Sequence, residues 1–243
     1  MLHEQLRRIG LPCDEIAPAY ASFFTDERLE QLADIAQKLQ KTDFFPRAER
    51  VLRFAQVDPS TLRCVIVGMD PYPSHTVNAK GEIIPEATGR SFEVASVTDW
   101  GGKYRQASLR NILKSIYYLK YRKVPTMEML REELANGSFP ILPPQQWWDS
   151  LERQGVLFLN ASLTVVPAHP GTHTDLWDAF MTDLMSFIAQ KAPHAVWLLW
   201  GNVAQNRVPQ DVTNRICSQH PRLPGFVTEC PFASLPDICW LGK

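Results

Sequence analysis

Cysteine is sparse in this sequence and poorly spaced for chemistry. The five present (Cys13, Cys64, Cys217, Cys230 and Cys239) are an odd number, and no two form a CxxC pair. That argues against a disulfide framework, a close-spaced zinc site or a cysteine-ligated iron–sulfur cluster, and for a reducing compartment. Long apolar runs are also missing. The opening stretch MLHEQLRRIGLPCDEIAPAY is broken by charge, Gly and Pro, so neither a signal peptide nor a membrane span is expected. Charge of one sign is absent overall. The 25 Lys+Arg balance 26 Asp+Glu to a formal net of −1, which excludes a polycation but not a local basic face. There is no Gly-rich phosphate loop and no GxSxG nucleophile elbow.

What is present describes a globular chain. Apolar residues make up 45% of the 243 and charged residues 21%, which excludes a disordered or fibrous protein. The 19 prolines are scattered as punctuation, with no repeat or linker. One domain over residues 1–243 is expected, with a mainly helical addition at residues 1–50. Four short apolar runs read as strands: Cys64–Val67, Val156–Leu159, Ala195–Trp200 and the weaker Arg215–Ser218. The first three are near-continuously apolar, which suits strands buried on both faces of a parallel sheet. Helical periodicity runs through Ala107–Arg122, Asp175–Lys191 (with Thr174 as N-cap) and Thr25–Lys41. Alternation of helix with buried strand gives an α/β fold, a three-layer α/β/α sandwich around a central four-stranded parallel sheet.

In such a sheet, ligands bind at the carboxyl ends of the strands. Those ends carry Asp70 (in Gly68-Met-Asp-Pro-Tyr-Pro73), Asn160, Trp200-Gly201-Asn202 and His220-Pro221. Asp, Asn, His and the ring of Tyr72 would converge on one rim. No second carboxylate stands beside Asp70, which disfavours a paired-carboxylate hydrolase.

These segments carry a resemblance. Gly68-Met-Asp-Pro-Tyr-Pro73 resembles the GQDPYH motif of family-1 uracil-DNA glycosylases, and Gly89-Arg-Ser-Phe92-Glu-Val resembles their GLxFSV. Gln154-Gly-Val-Leu-Phe-Leu-Asn160-Ala-Ser-Leu-Thr-Val is similar to QGVLLLNTxLTV, and Leu198-Leu-Trp-Gly-Asn-Val-Ala-Gln to LLWGxxAQ. His220-Pro221 stands where HPSPLS is expected. The chain departs from the pattern in Met69, in Pro73, in a longer segment between His75 and Thr88, and in lacking the serines after His220. The Met and Pro are shared with the GMNPGP loop of single-strand-selective relatives. The long segment reads as a lid or a substrate-selecting loop.

The resemblance implies hydrolysis of the N-glycosidic bond of uracil in DNA, single- or double-stranded, with the base flipped out. It implies no metal or organic cofactor. Asp70 would orient the attacking water and steady the oxocarbenium-like sugar, and His220 would hydrogen-bond the leaving base. Base binding would fall to Met69, Tyr72, Phe92 and Asn160: Phe92 stacks, the Asn160 amide reads the O4/N3 edge, and Tyr72 excludes a thymine methyl. Residues 101–125 contain seven basic residues and no acidic one, interleaved with four tyrosines. DNA contacts are therefore expected at Lys120, Arg122 and Lys123. The resemblance adds Ser108, near a helix start, in the place of the family's phosphate-binding serine, and, where the HPSPLS serines are missing, Arg222 on phosphate and Leu223 as a wedge. A monomer is expected, cytoplasmic or, in a eukaryote, nuclear. The readings left open beside uracil excision are another deaminated or damaged base, and a DNA-binding module with weakened catalysis.

Overall fold

The structure, a computed structural model, describes residues 2–243. Its strands are β1 (Cys64–Gly68), β2 (His75–Val77), β3 (Ile83–Pro85), β4 (Val156–Asn160), β5 (Val196–Trp200) and β6 (Arg215–Ser218). Its helices are α1 (Leu2–Ile9), α2 (Asp26–Leu39), α3 (Ala48–Val51), α4 (Ala107–Tyr121), α5 (Met127–Ala135), α6 (Pro144–Arg153), α7 (Thr174–Lys191), α8 (Asn202–Arg207) and α9 (Phe226–Glu229).

The four expected strands form one parallel sheet in the order β4-β1-β5-β6. Every residue of β1 and β4 is buried, as their unbroken apolar sequence requires. Side chains alternate between faces. Val65, Val67, Leu157, Leu159, Trp197 and Leu199 enter one core with the apolar stripes of α2 and α7. Cys64, Ile66, Val156, Phe158, Leu198 and Trp200 enter the other with α4, α6 and α9. Two covered faces make the three layers, and of the two edge strands β4 is buried while β6 has no fully buried residue.

The order of the strands locates a site. The chain leaves β1 toward β4 on one side and leaves β5 toward β6 on the other. The crevice between β1 and β5, at their carboxyl ends, is thus the topological switch point where such sheets bind ligands.

One sequence expectation changes. Thr174 is the first residue of α7 rather than its N-cap; His173 precedes it without a side-chain cap. The helix start is fixed from the core instead: Thr164 Oγ1 accepts from Trp177 Nε1 at 2.6 Å and pairs with His173 Nδ1 at 2.9 Å. The long segment after His75 is a small antiparallel hairpin, β2 against β3. Its turn is built on Asn78, whose Oδ1 accepts from the N–H groups of Lys80 and Glu82 at 2.9 and 3.0 Å, with Gly81 at a φ of 79°.

Candidate active site

Asn160 closes β4 directly beside Gly68, its registered partner on β1. It is 2% exposed, and its Oδ1 has no hydrogen-bond partner among the described residues. A buried amide oxygen left unpaired costs about 1–3 kcal/mol, so Asn160 carries an unmet acceptor at the sheet's rim. Gly68 makes room for it: a Cβ there would lie 2.7 Å from Asn160 Oδ1, 2.8 Å from Ser91 Cβ and 3.5 Å from the Phe92 ring. The backbone beyond is locked into register, Ala161 N–H donating to Gly68 O at 2.8 Å and Ser162 N–H to Met69 O at 3.0 Å.

Phe92 borders the same space with a φ of 63°. A left-handed backbone costs a non-glycine residue about 1–2 kcal/mol, so the fold must hold it there. Its ring centroid lies 5.0 Å from that of Trp200 and 6.3 Å from that of His220. A cleft of about 640 Å³ opens at this point, lined among others by Gly68, Met69, Phe92, Trp200, His220 and Leu223.

His220 follows β6 in a tight turn, in which Leu223 N–H donates to His220 O at 2.8 Å. The Arg222 N–H donates to His220 Nδ1 at 3.0 Å. A backbone N–H can only donate, so Nδ1 is the unprotonated nitrogen and the neutral ring carries its proton on Nε2. Burial, and then the charge of Arg222, hold the imidazolium below its ordinary pKa. The ring is thus a neutral donor.

Asp70 sits two residues past β1. Its Oδ2 accepts from Gly171 N–H at 2.6 Å, and its buried Oδ1 has no partner among the described residues. Burial pushes the carboxyl above its usual range, while the Gly171 hydrogen bond and the charge of Arg207 oppose that push. One oxygen is anchored and the other is buried and unpaired. Sequence reasoning missed Gly171 and Arg207: the first acts through its backbone, and the second lies more than 130 residues from Asp70 in the chain.

A family model of the uracil DNA glycosylase superfamily matches residues 54–228. The chain belongs to the uracil-DNA glycosylase superfamily. It is 31% identical to a uracil-DNA glycosylase of Amoebophilus asiaticus over 200 residues, spanning 79% of this chain and 76% of that one. It is also 31% identical to one of Exiguobacterium sibiricum over 211 residues, with 83% and 81% covered. In fold it is similar to the wild-type UNG of Nitratifractor salsuginis, with a TM-score of 0.69 at 20% identity, covering 96% and 94% of the two chains. The mimivirus uracil-DNA glycosylase gives a TM-score of 0.60 at 24% identity, with 89% and 71% covered.

Of the remaining residues expected in a glycosylase site, Met69 is exposed and lines the cleft, as do Arg222 and Leu223, the latter 45% exposed at the tip of its turn. Tyr72 packs against the core two residues past Asp70, and burial, then Glu86, raises its phenol above the usual value. Ser108 is the second residue of α4. One turn on, Asn111 Nδ2 donates to Pro221 O at 2.7 Å, so this end of α4 holds the His220 turn. Lys120, Arg122 and Lys123 are not brought to the cleft. Lys120 lies twelve residues beyond Ser108, about 18 Å along the helix, where Tyr121 Oη donates to Ser138 O. Helix α4 thus carries the basic stretch from the His220 turn toward Ser138.

Proposed function

We propose that this protein excises uracil from DNA, hydrolysing the N-glycosidic bond in base-excision repair, with Asp70, His220, Asn160 and Phe92 as its working residues. The observation that carries the reading is the buried, unpaired Asn160 oxygen beside the Phe92 ring at the sheet's switch point. A flipped uracil satisfies it: N3–H donates to Oδ1, and the amide Nδ2 donates to O4. Phe92 supplies the stacking face, which every base tolerates, so selection falls to the amide. Met69 floors the mouth of the cleft, and Tyr72 crowds the position of a 5-methyl group.

Bond cleavage leaves negative charge on the base and positive charge on the sugar. The Nε2–H of neutral His220 donates to O2 as charge develops there, and a group that is already neutral need lose no proton to do so. The Asp70 carboxylate, held through Oδ2 by Gly171, faces the cationic sugar and orients the water with Oδ1. One carboxylate suffices because the base departs as a stabilised anion. Leu223, at the exposed tip of its turn, fills the vacated stack, while Arg222 and Ser108 contact phosphates. The enzyme acts as a monomer in the compartment that holds its DNA, the cytoplasm or, in a eukaryote, the nucleus.

The test is alkaline cleavage of oligonucleotides carrying uracil, hypoxanthine, thymine or cytosine, single- and double-stranded. Abasic product from uracil alone supports the reading. Product from hypoxanthine without uracil would transfer the site to another deaminated base, and tight binding without product would make it a binding module.

A further inference from the structure

The left-handed backbone of Phe92 is bracketed by a buried cation and a buried anion. Arg90 is 3% exposed and Glu93 6% exposed, and Arg90 Nη1 donates to Glu93 Oε1 at 3.0 Å. An ion pair therefore spans the strained residue. The rest of the guanidinium is taken up by α6: Nε donates to Glu152 Oε1 at 2.6 Å, and Nη2 donates to Asp149 Oδ1 at 2.6 Å and to Glu152 Oε2. Glu93 is fixed in turn by Thr88 Oγ1, which donates to its Oε2 at 2.5 Å. Ser91 ties the loop to the sheet, donating from Oγ to Ile66 O at 3.2 Å and from its N–H to Phe158 O at 3.3 Å.

The motif GLxFSV has leucine where this chain has Arg90. A buried ion cluster is no more stabilising than well-packed apolar residues of the same volume, so stability alone does not explain it. Its planar fork does something leucine cannot: it fixes the orientation of several acceptors at once.

We infer that Arg90 is a positioning residue, whose guanidinium ties Glu93 to α6 and so holds Phe92 in the backbone conformation that presents its ring to the cleft. The inference rests on the reading of Phe92 as the base-stacking ring. It makes the strength of stacking depend on a charge cluster remote from the base.

The test is a double-mutant cycle of Arg90→Lys and Phe92→Ala on a uracil oligonucleotide, reading kcat, KM and inhibition by free uracil well below each variant's Tm. Arg90→Lys keeps the charge but loses the fork. It should raise KM and the inhibition constant of uracil about tenfold, with a smaller effect on kcat. In the Phe92→Ala background the same substitution should change them less than twofold, because the ring it positions is gone. Equal losses in both backgrounds overturn the inference and leave the stacking reading standing. An unchanged KM and uracil inhibition in Phe92→Ala alone overturn both. If Arg90→Lys does not fold, Asp149→Asn carries the cycle: that carboxylate is 38% exposed, so its loss weakens one arm of the fork without stranding a buried charge.

Discussion

Replacing Gly68 by alanine adds one methyl group at the most crowded point of the site. The new Cβ would stand 2.7 Å from Asn160 Oδ1 and 2.8 Å from Ser91 Cβ. Ordinary contact begins at about 3.5 Å, so something must move by about 0.7 Å. Neither neighbour can swing aside, since Asn160 is 2% and Ser91 0% exposed, and Ser91 is hydrogen-bonded to the sheet. The displacement is therefore imposed on the amide and on the Phe92 loop. A misplacement of about 1 Å costs on the order of 100-fold in rate. A 10- to 100-fold loss of kcat/KM is expected here, equivalent to about 1.4–2.8 kcal/mol. Overpacking itself destabilises by about 1–3 kcal/mol, which for a chain of this size lowers Tm by roughly 2–12 °C. Single-turnover excision from a uracil oligonucleotide, measured well below Tm, separates the two effects. A fall in Tm with kcat/KM within twofold of wild type would refute the reasoning, because the strain would then have been absorbed away from the base site.

Three further outcomes follow from the same geometry. Asn160→Asp exchanges the amide donor for an acceptor and should move selection from uracil toward cytosine by about 1–3 kcal/mol, read as the ratio of kcat/KM on the two bases; a uniform loss on both would contradict the base-reading role. The acid limb of the kcat/KM profile should belong to Asp70. Its pKa is raised above 3.8, so activity, which needs the anion, fails at a higher pH than an ordinary carboxylate would give, while His220, lowered from 6.5, protonates at a lower pH than a free imidazole. That limb should survive in the residual activity of His220→Gln, and its disappearance would reassign it. Replacing Lys120, Arg122 and Lys123 together by alanine should leave the salt dependence of DNA binding unchanged, while Arg222→Ala should lower its slope by about one; the reverse pattern would place the DNA track along α4.

Strands β1, β4 and β5 were readable because burial on both faces demands near-unbroken apolar runs, whereas β6, Arg215–Ser218, with no fully buried residue, gave a weaker signal. The placement of Asp70, Asn160 and His220 on one rim was readable because parallel strands all end on the same side of the sheet. The strand order was not readable, since it depends on which helix covers which face. Helices α5 and α6 escaped as well: α6 begins at Pro144 and turns an adjacent tryptophan pair, Trp147 and Trp148, into the core. Thr174 misled because the start of α7 is fixed by side chains across the core rather than by a local cap. A count of charges along the basic stretch could not say how far the helix that carries them extends from the cleft. Gly171 leaves no trace in residue type, as it contributes only a backbone N–H. Arg90 stood in plain view, but its three carboxylates lie on two segments that only the fold brings together.

The most direct measurement of the central claim is single-turnover release of free uracil from a uracil-containing oligonucleotide by wild type and by Asp70→Asn. The amide keeps the shape of the side chain but cannot face the sugar cation as an anion. Wild type should release uracil stoichiometrically, and the variant should bind the oligonucleotide while releasing it at least about 100-fold more slowly. Equal rates from the two proteins, or no uracil from wild type, would contradict the account.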